Sequence, residues 1–358
     1  MTVRHRDGIH FEFGDGRRIV ADASSETGDV NVVSHAHADH TFRSRPDTVV
    51  CAAETAAIAE ARTGVGFEFV ERLPGIDLVP AGHVVGSRAA IVDRDQLAAG
   101  GTRGEDPQRR SPEYRRYCYT GDFSIRDRWY LEGFDPTAVA ADVLVMETTY
   151  GRPEYRFPAQ EELEDAIVDW IRDNRDRPLF LFGYSLGRAQ KLLWLARVAT
   201  ERDDESVTDG TDAARDVLVS DSIHEVTRAI EDATALSFPG QPYDSLRDLE
   251  DEIVVLPSNQ ARSDWVEATV DRENGLKAGF SGWAVDDGFR YRGNYDVTFP
   301  LSDHCDFDDL VATVEAIDPD VVYTHHGFAE AFATTLETEH DYRARPLKRD
   351  QRTLGEFR

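Results

Sequence analysis

The segment Ser-His-Ala-His-Ala-Asp-His at positions 34 to 40 constrains this chain more than any other. It directly follows an apolar, strand-like run that ends at Val33, and it places four potential metal ligands within six positions, namely His35, His37, Asp39 and His40. Because side chains alternate along an extended segment, His35 and His37 should point to one side. Asp39 and His40 follow where the chain turns. A polar loop that binds nothing is the alternative, but ligands this dense favour a metal site.

Further ligand candidates each follow another apolar, strand-like run, at a point where a loop can enter a common site: Asp22, His83, Asp122 and His326. We predict that one ion is held by His35, His37 and His83. A second ion is then held by Asp39, His40 and His326, and Asp122 bridges the two. His325 is the alternative to its neighbour His326. We expect Asp22 to accept a hydrogen bond from a ligand imidazole rather than to bind metal.

The ligand types indicate the metal and the reaction. Imidazole nitrogen with some carboxylate oxygen suits Zn²⁺, with Mn²⁺ as an alternative. Two divalent ions about 3.5 to 4 Å apart can stabilise both the entering and the leaving oxygen of an in-line displacement. A pair of zinc ions and a phosphodiester substrate are therefore predicted.

The charge of the chain is far from balanced. The formal net charge is −28, and only three of its 40 basic residues are lysines. This composition is typical of proteins adapted to very high internal salt, where the Debye length is about 3 Å at 1 M and an acidic surface maintains solubility. The negative charge does not exclude a nucleic acid, because counterion release contributes little to binding in molar salt.

Length and apolar content indicate the domain count and the compartment. A chain of 358 residues predicts two domains, or one domain with a large insertion. It has no apolar run of about 20 residues and no apolar stretch near its start, so we expect a cytoplasmic protein without membrane contact. The three cysteines have unrelated spacings and are predicted to be buried thiols.

Local patterns predict short strands and one helix in the first third and alternating strands and helices from about residue 152. The clearest segments in the second part are helices at 159–173 and 187–199 around a strand at 179–182. Two polar stretches, 95–116 and 201–216, are predicted to be loops.

Several motifs follow one another in a recognisable order. They are Ala-Gly-His-Val-Val-Gly-Ser at His83, Thr-Gly-Asp-Phe-Ser at Asp122, Met-Glu-Thr-Thr-Tyr-Gly at Glu147, Leu-Ser-Asp-His at His304 and Thr-His-His-Gly-Phe at His326. With the segment at 34–40 they resemble the metallo-β-lactamase-fold nucleases of the β-CASP group, over nearly the whole chain. Phe-Gly-Tyr-Ser-Leu-Gly-Arg-Ala-Gln and Leu-Ser-Asp-His-Cys-Asp resemble its short branch, the ligase-associated or mRNA 3′-end-processing exonucleases.

The resemblance implies an α/β fold, a four-layer αβ/βα sandwich with an inserted β-CASP α/β domain that closes a cleft over the metals. The sandwich would comprise residues 1–151 and 297–358, and the insertion residues 152–296. The resemblance also implies that His304 is the general acid for the leaving oxygen and that Glu147 orients it. The catalytic set is then His304, Glu147, Asp39 and Asp122.

The resulting prediction is a zinc-dependent nuclease, an exonuclease or an endo/exonuclease, of DNA repair or RNA 3′-end processing. Its substrate is single-stranded DNA or RNA, and the resemblance names DNA ligase or helicase as partners. Aromatic side chains that could stack on bases are Tyr150, Tyr155, Phe157, Tyr184 and Trp283. Alternatives within the same fold are a small-substrate metallo-hydrolase and a non-catalytic or RNA-binding relative.

A second mechanism arises from Gly-Tyr-Ser-Leu-Gly at 183–187, which has the sequence and the strand-to-helix context of a nucleophile elbow. A serine hydrolase with Ser185 as nucleophile is therefore an alternative. It leaves the histidines at 35–40 without a role. We favour the interpretation that Ser185, Gly187 and Arg188 contact a substrate phosphate.

Overall fold

The computed structural model describes residues 2–25, 27–42, 48–99, 114–201, 215–244 and 248–349, without the side chains of 98 and 99. The strands are β1 (Thr2–Arg6), β2 (Gly8–Glu12), β3 (Arg18–Ala21), β4 (Val30–Val32), β5 (Val49–Val50), β6 (Ile76–Pro80), β7 (Arg88–Asp93), β8 (Arg116–Tyr119), β9 (Val143–Glu147), β10 (Leu179–Gly183), β11 (Val217–Val219), β12 (Gln241–Pro242), β13 (Ile253–Pro257), β14 (Leu276–Phe280), β15 (Val297–Phe299), β16 (Val321–His325) and β17 (Ala344–Pro346). The helices are α1 (Ala53–Thr63), α2 (Arg94–Ala99), α3 (Gln160–Asp173), α4 (Arg188–Thr200), α5 (Asp221–Ala233), α6 (Asp264–Glu273), α7 (Gly288–Gly293), α8 (Phe307–Ile317) and α9 (Ala329–Glu339). Residues Met1–Pro153 with His304–Arg358 form one compact unit, and Glu154–Asp303 form a second.

The first unit contains two sheets with the strand orders β1-β2-β3-β4-β5 and β17-β16-β9-β8-β7-β6. Side-chain alternation in β8 shows how they pack. Tyr117 and Tyr119 lie in a core shared by the two sheets, whereas Cys118 lies in a core with α8 and α9. On the outer face of the other sheet, α1 packs through Ala56. The layers of this unit are therefore helix, sheet, sheet and helix.

Polar side chains lie together at one edge of the second of these sheets. Strands β8, β9 and β16 are adjacent and parallel, so their carboxyl ends meet at the same edge. Glu147 is the last residue of β9, Asp122 lies three residues beyond β8, and His326 directly follows β16. The topology therefore brings together residues that are far apart in sequence.

The second unit is a parallel sheet with the order β12-β11-β13-β10-β14-β15. The central strand β10, Leu-Phe-Leu-Phe-Gly, is buried throughout. Such a continuous apolar run is expected for a parallel strand covered on both faces. One face packs on α6 through Val266 and Val270, and α4 packs against β10 and β13.

The predicted α/β class is confirmed, and so are the helices and the strand around 179–182 within a residue or two. The prediction of a loop at 95–116 was wrong at its start, because residues 94–99 form α2. The side chain of the buried Asp93 accepts hydrogen bonds from the amides of Asp95 and Gln96, at 3.0 and 3.1 Å. Positions 100–113 and 202–214, most of the two predicted loops, lie outside the described residues.

All three cysteines are free and buried, as predicted. Among the described residues, no helix has both the length and the apolar composition that a bilayer crossing demands.

Candidate metal centre

The loop at 34–40 is held in place by Asp22. The carboxylate of Asp22 accepts hydrogen bonds from the Ser34 amide at 2.7 Å, the Ser34 hydroxyl at 2.6 Å and the Tyr119 hydroxyl at 2.7 Å. It also accepts from Nδ1 of His40 at 2.9 Å. With Nδ1 donating to a carboxylate, the Nε2 lone pair of His40 is available for a metal. Asp22 thus accepts a hydrogen bond from the imidazole of a candidate ligand, as the sequence predicts.

A glycine permits the close approach of the loop that carries Asp122. Gly121 has a φ of +57°, and a Cβ there would lie 2.6 Å from the Ser34 side chain. Any other residue would be strained in this conformation and would push the two loops apart. The Thr-Gly-Asp sequence therefore places the carboxylate of Asp122 against the histidine loop.

The first group of ligand atoms comprises His35, His37, His83 and Asp122, all within 4.8 Å of one another. Nδ1 of His37 lies 3.0 Å from Nε2 of His35 and 3.1 Å from Nε2 of His83. Oδ2 of Asp122 lies 3.6 and 3.8 Å from the same two Nε2 atoms. Four ligands at about 2.0 to 2.1 Å from a tetrahedral zinc ion lie about 3.3 Å apart. The four atoms therefore have nearly the spacing that zinc requires.

The protonation of His35 suits a ligand. Burial lowers the pKa of His35 well below its usual value, and the nearby His40 and His83 lower that pKa further. Neutral imidazole is the form that binds metal. Nδ1 of His35 lies 2.9 Å from the Ser34 hydroxyl, which leaves Nε2 directed toward the group.

The second group comprises His40, Asp122 and His326. Nε2 of His40 lies 3.8 Å from Oδ2 of Asp122, and Nδ1 of His326 lies 3.9 Å from Oδ1. Asp39 approaches Nε2 of His40 to 3.8 Å, but its side chain is 80% exposed and it belongs to none of the compact ligand groups among the described residues. The structure therefore assembles two members of the predicted second set around Asp122 and leaves Asp39 at its margin.

Asp122 belongs to both groups. Its carboxylate is buried, and Oδ1 has no hydrogen-bond donor among the described residues. Although burial raises the pKa of Asp122, the surrounding histidines, above all His40 and His326, outweigh it and hold the pKa well below the usual value. A buried carboxylate that faces imidazoles through both oxygens has the chemistry of a bridging ligand.

The acidic groups around His40 attract positive charge. Burial by itself lowers the pKa of His40, but Asp122 and Asp22 overcome it and raise the pKa to about 10. The same two carboxylates that stabilise a proton on His40 would stabilise a divalent cation beside it. The residues present therefore fit a pair of divalent ions.

Of the two adjacent histidines, His326 faces the site. It has a φ of +59°, which turns the chain at the end of β16. His325 is buried and stacks on Tyr119, with the ring centroids 5.7 Å apart. The two ring nitrogens of His325 have no hydrogen-bond partner among the described residues. His325 is in none of the metal-type groups of the described part of the chain.

A third group lies beside the first two and contains Asp122, Glu147 and His304. Nδ1 of His304 donates to Oε1 of Glu147 at 2.9 Å. Glu147 is fully buried and its other oxygen accepts from the Thr149 amide at 2.7 Å, so the carboxylate is fixed. His304 remains 18% exposed, and its ring centroid is 4.6 Å from that of His83. A partly exposed imidazole thus adjoins the ligand cluster.

The residues predicted to bind phosphate lie in the second unit. Arg188 is buried, pairs with Asp303 at 3.3 Å and lies over the Tyr184 ring. No short-range sequence pattern predicts this ion pair, because it joins residues 115 positions apart. Ser185 makes no hydrogen bond to a histidine within the described residues, and the turn is closed by Gln190, which accepts from the Gly187 amide at 2.7 Å. The phosphate role of Arg188, Ser185 and Gly187 stays a prediction.

Comparison with known proteins gives relatives but no family, because no family model matches the chain. A "Probable DNA ligase" of Opitutus terrae is 32% identical over 317 residues, which are 85% of this chain and 27% of that protein. "DNA ligase 6" of Arabidopsis thaliana is 26% identical over 171 residues, 46% of this chain and 12% of that protein. An "Uncharacterized protein in lig 3'region" of Acidianus ambivalens is 27% identical over 123 residues, 34% of this chain and 71% of that protein. The chain thus spans about a quarter or less of the two named ligases.

Proposed function

We propose that this protein is a zinc-dependent nuclease of the metallo-β-lactamase-fold β-CASP group and that it hydrolyses phosphodiester bonds of DNA. The observation that carries the proposal is the placement of Asp122, whose two carboxylate oxygens face two sets of imidazoles. The helix-sheet-sheet-helix layers of the first unit support the fold that the motifs imply.

The residues divide into a binding set and a proton-transfer pair. His35, His37 and His83 would hold one ion, and His40 and His326 the other, with Asp122 between them. Bound there, the pair would supply an activated water and charge stabilisation for an in-line displacement at phosphorus.

His304 can deliver the proton that the leaving oxygen needs. Its Nδ1 is engaged by Glu147, so Nε2 is the nitrogen left to face the substrate. The fixed carboxylate of Glu147 sets the ring orientation and stabilises the protonated imidazole, as a general acid requires. An enzyme that hydrolyses only small substrates with acidic leaving groups would not need such a proton donor.

The relatives favour DNA over RNA. Two of them are named DNA ligases, yet the match leaves most of each ligase uncovered. We infer that the matching part is a separate activity that trims strand ends before they are joined, and that a DNA ligase is the partner of this chain.

The test is hydrolysis in molar KCl of end-labelled single-stranded DNA and RNA of one sequence, with and without chelator. We expect DNA cleavage that the chelator abolishes and that His37→Ala removes. Ser185→Ala separates the two mechanisms: it should still hydrolyse DNA, with weaker substrate binding because Ser185 is predicted to contact a phosphate. Cleavage that survives the chelator, or a dead Ser185→Ala that keeps its metal, would support the serine hydrolase instead. The ladder of labelled products distinguishes an exonuclease from an endonuclease.

A further inference from the structure

A second candidate site lies entirely within the unit Glu154–Asp303, where a cavity of about 660 Å³ opens to solvent. Its size is within the range of small-molecule sites, about 300 to 1,000 Å³. Aromatic and basic side chains dominate the lining: Tyr155, Trp283, Phe289, Tyr295, Arg262 and Arg292. None of these belongs to the proposed metal centre.

The cavity occupies a favoured place in a parallel sheet. Its lining includes short 3₁₀ segments, Ser258–Gln260 directly after β13 and Gly282–Val285 soon after β14. Both strands run parallel to β10, which lies between them, so these segments emerge at the same edge. Ligands of open α/β sheets bind at this edge, outside the carboxyl ends of the strands.

The aromatic side chains are arranged in two pairs. Tyr155 and Trp283 meet edge to face with centroids 5.1 Å apart, and Phe289 and Tyr295 stack at 5.5 Å. Trp283 and Phe289 are half-buried, so each keeps some surface toward solvent. A flat π surface of this kind can stack on a nucleobase whatever its identity.

The polar lining suits the rest of a nucleotide. Arg262 and Arg292 are exposed, and neither has an ion pair within the described part of the chain. Asp286 also lines the cavity, but one of its oxygens already accepts from the Gly288 amide at 2.7 Å. Two guanidinium groups against one carboxylate give the cavity lining a net positive charge in a chain of net charge −28. Guanidinium groups bind phosphate oxygens well, and the Asn259 amide adds a donor and an acceptor for a base edge.

We propose that this cavity binds a nucleotide, its base against the aromatic side chains and its phosphate against Arg262 and Arg292. The ligand is a nucleotide unit of a single strand or a free mononucleotide. The inference extends the proposed nuclease function, but it can fail or hold independently of the metal centre.

The binding test uses fluorescein-labelled oligothymidylate and anisotropy, with chelator present so that no strand is cleaved. We expect Trp283→Ala to weaken binding about tenfold, the size of one lost stacking contact. The double variant Arg262→Gln, Arg292→Gln should also bind more weakly and should flatten the salt dependence. Tyr291→Ala is the matched control, since Tyr291 is 79% exposed on α7 yet outside the cavity lining.

Each outcome has a separate meaning. Wild-type affinity in both cavity variants overturns the proposal. If Trp283→Phe binds with wild-type affinity and Trp283→Ala binds weakly, the proposal is supported and misfolding is excluded as the cause of the weak binding. Competition by dAMP assigns the free nucleotide as ligand, and its failure to compete assigns the strand. Hydrolysis of the small diester bis(4-nitrophenyl) phosphate reports on the metal centre alone. It should survive in Trp283→Ala and vanish in His37→Ala.

Discussion

At the scale of single residues, the proposed pair of ions depends on Asp122. Both of its oxygens are directed at imidazoles, and Oδ1 has no other donor among the described residues. Asp122→Asn keeps the shape but replaces one oxygen by a donor and removes the charge. We expect loss of at least one ion per chain, measured by atomic emission. Activity should fall by more than the 10- to 100-fold typical of losing an outer partner.

Asp77→Asn is the matched control for this substitution, because Asp77 is an exposed aspartate on β6 of the same unit. It should retain wild-type metal content and activity. An Asp122→Asn protein that still bound two ions would show that the two imidazole groups are independent sites.

The pair of His304 and Glu147 gives a prediction that depends on the leaving group. Glu147→Gln retains an acceptor for Nδ1 of His304 but loses the charge that stabilises a protonated imidazole. We expect kcat on DNA to fall about 100-fold, within the range of general acid catalysis. The rate on bis(4-nitrophenyl) phosphate should change little, because nitrophenolate leaves without a proton. Equal losses on both substrates would assign Glu147 a purely structural role.

Local sequence density predicts much of this centre. The candidate ligands at 35–40 are recognisable because they crowd into one strand-to-loop segment, and the candidates His83, Asp122 and His326 because each follows an apolar run. The hydrogen bond from Tyr119 to Asp22 has no such signal, since it joins residues 97 positions apart. The position of Asp39 at the margin of the second group likewise depends on loop geometry, which the spacing of residues along the sequence does not reveal.

At the scale of elements, the start of α8 fixes the loop that carries His304. The Asp306 side chain caps the helix by accepting from the Asp309 amide at 2.9 Å, and Arg126 pairs with Asp306 at 2.6 Å and with Asp309 at 2.7 Å. Asp306→Ala should lower the free energy of unfolding by about 1 to 2 kcal/mol, the usual cost of losing a cap. Denaturant titration measures this.

Asp306→Asn separates the two contributions, because asparagine also caps helices but does not form an ion pair. It should be intermediate in stability between Asp306→Ala and the wild type. Asp320→Ala, at an exposed site after α8, is the control and should be neutral. A neutral Asp306→Ala would mean that Arg126 and Asp309 hold the helix start without Asp306.

The elements that sequence patterns predict best are those with long apolar runs or strong helical periodicity, such as β10, α3 and α4. Edge strands escape prediction. The strand β1, Thr-Val-Arg-His-Arg, and the strand β17, Ala-Arg-Pro, carry too few apolar residues to stand out. Their pairing with β2 and β16 comes from the neighbouring backbone rather than from their own side chains.

At the scale of the whole molecule, the chain carries 68 acidic residues against 40 basic ones. Two of the three lysines do not offset this surface charge, whereas the exposed Lys348 pairs with Glu330 at 3.0 Å. Lys191 is buried and lies 3.0 Å from Glu164, and Lys277 is buried and lies 2.9 Å from Glu267. Neither can offset the acidic exterior at low salt, where the Debye length of about 10 Å at 0.1 M lets neighbouring carboxylates repel one another.

Stability should therefore rise with salt. We expect the thermal midpoint to increase between about 0.1 and 1 M KCl and then to level off, as the Debye length falls from about 10 Å to about 3 Å. Sucrose is the control, because it stabilises proteins by exclusion from the surface without screening charge. If sucrose reproduced the effect of KCl, exclusion rather than screening would explain it. A midpoint that did not depend on KCl would show that the net charge of −28 costs this fold little and is not an adaptation to salt.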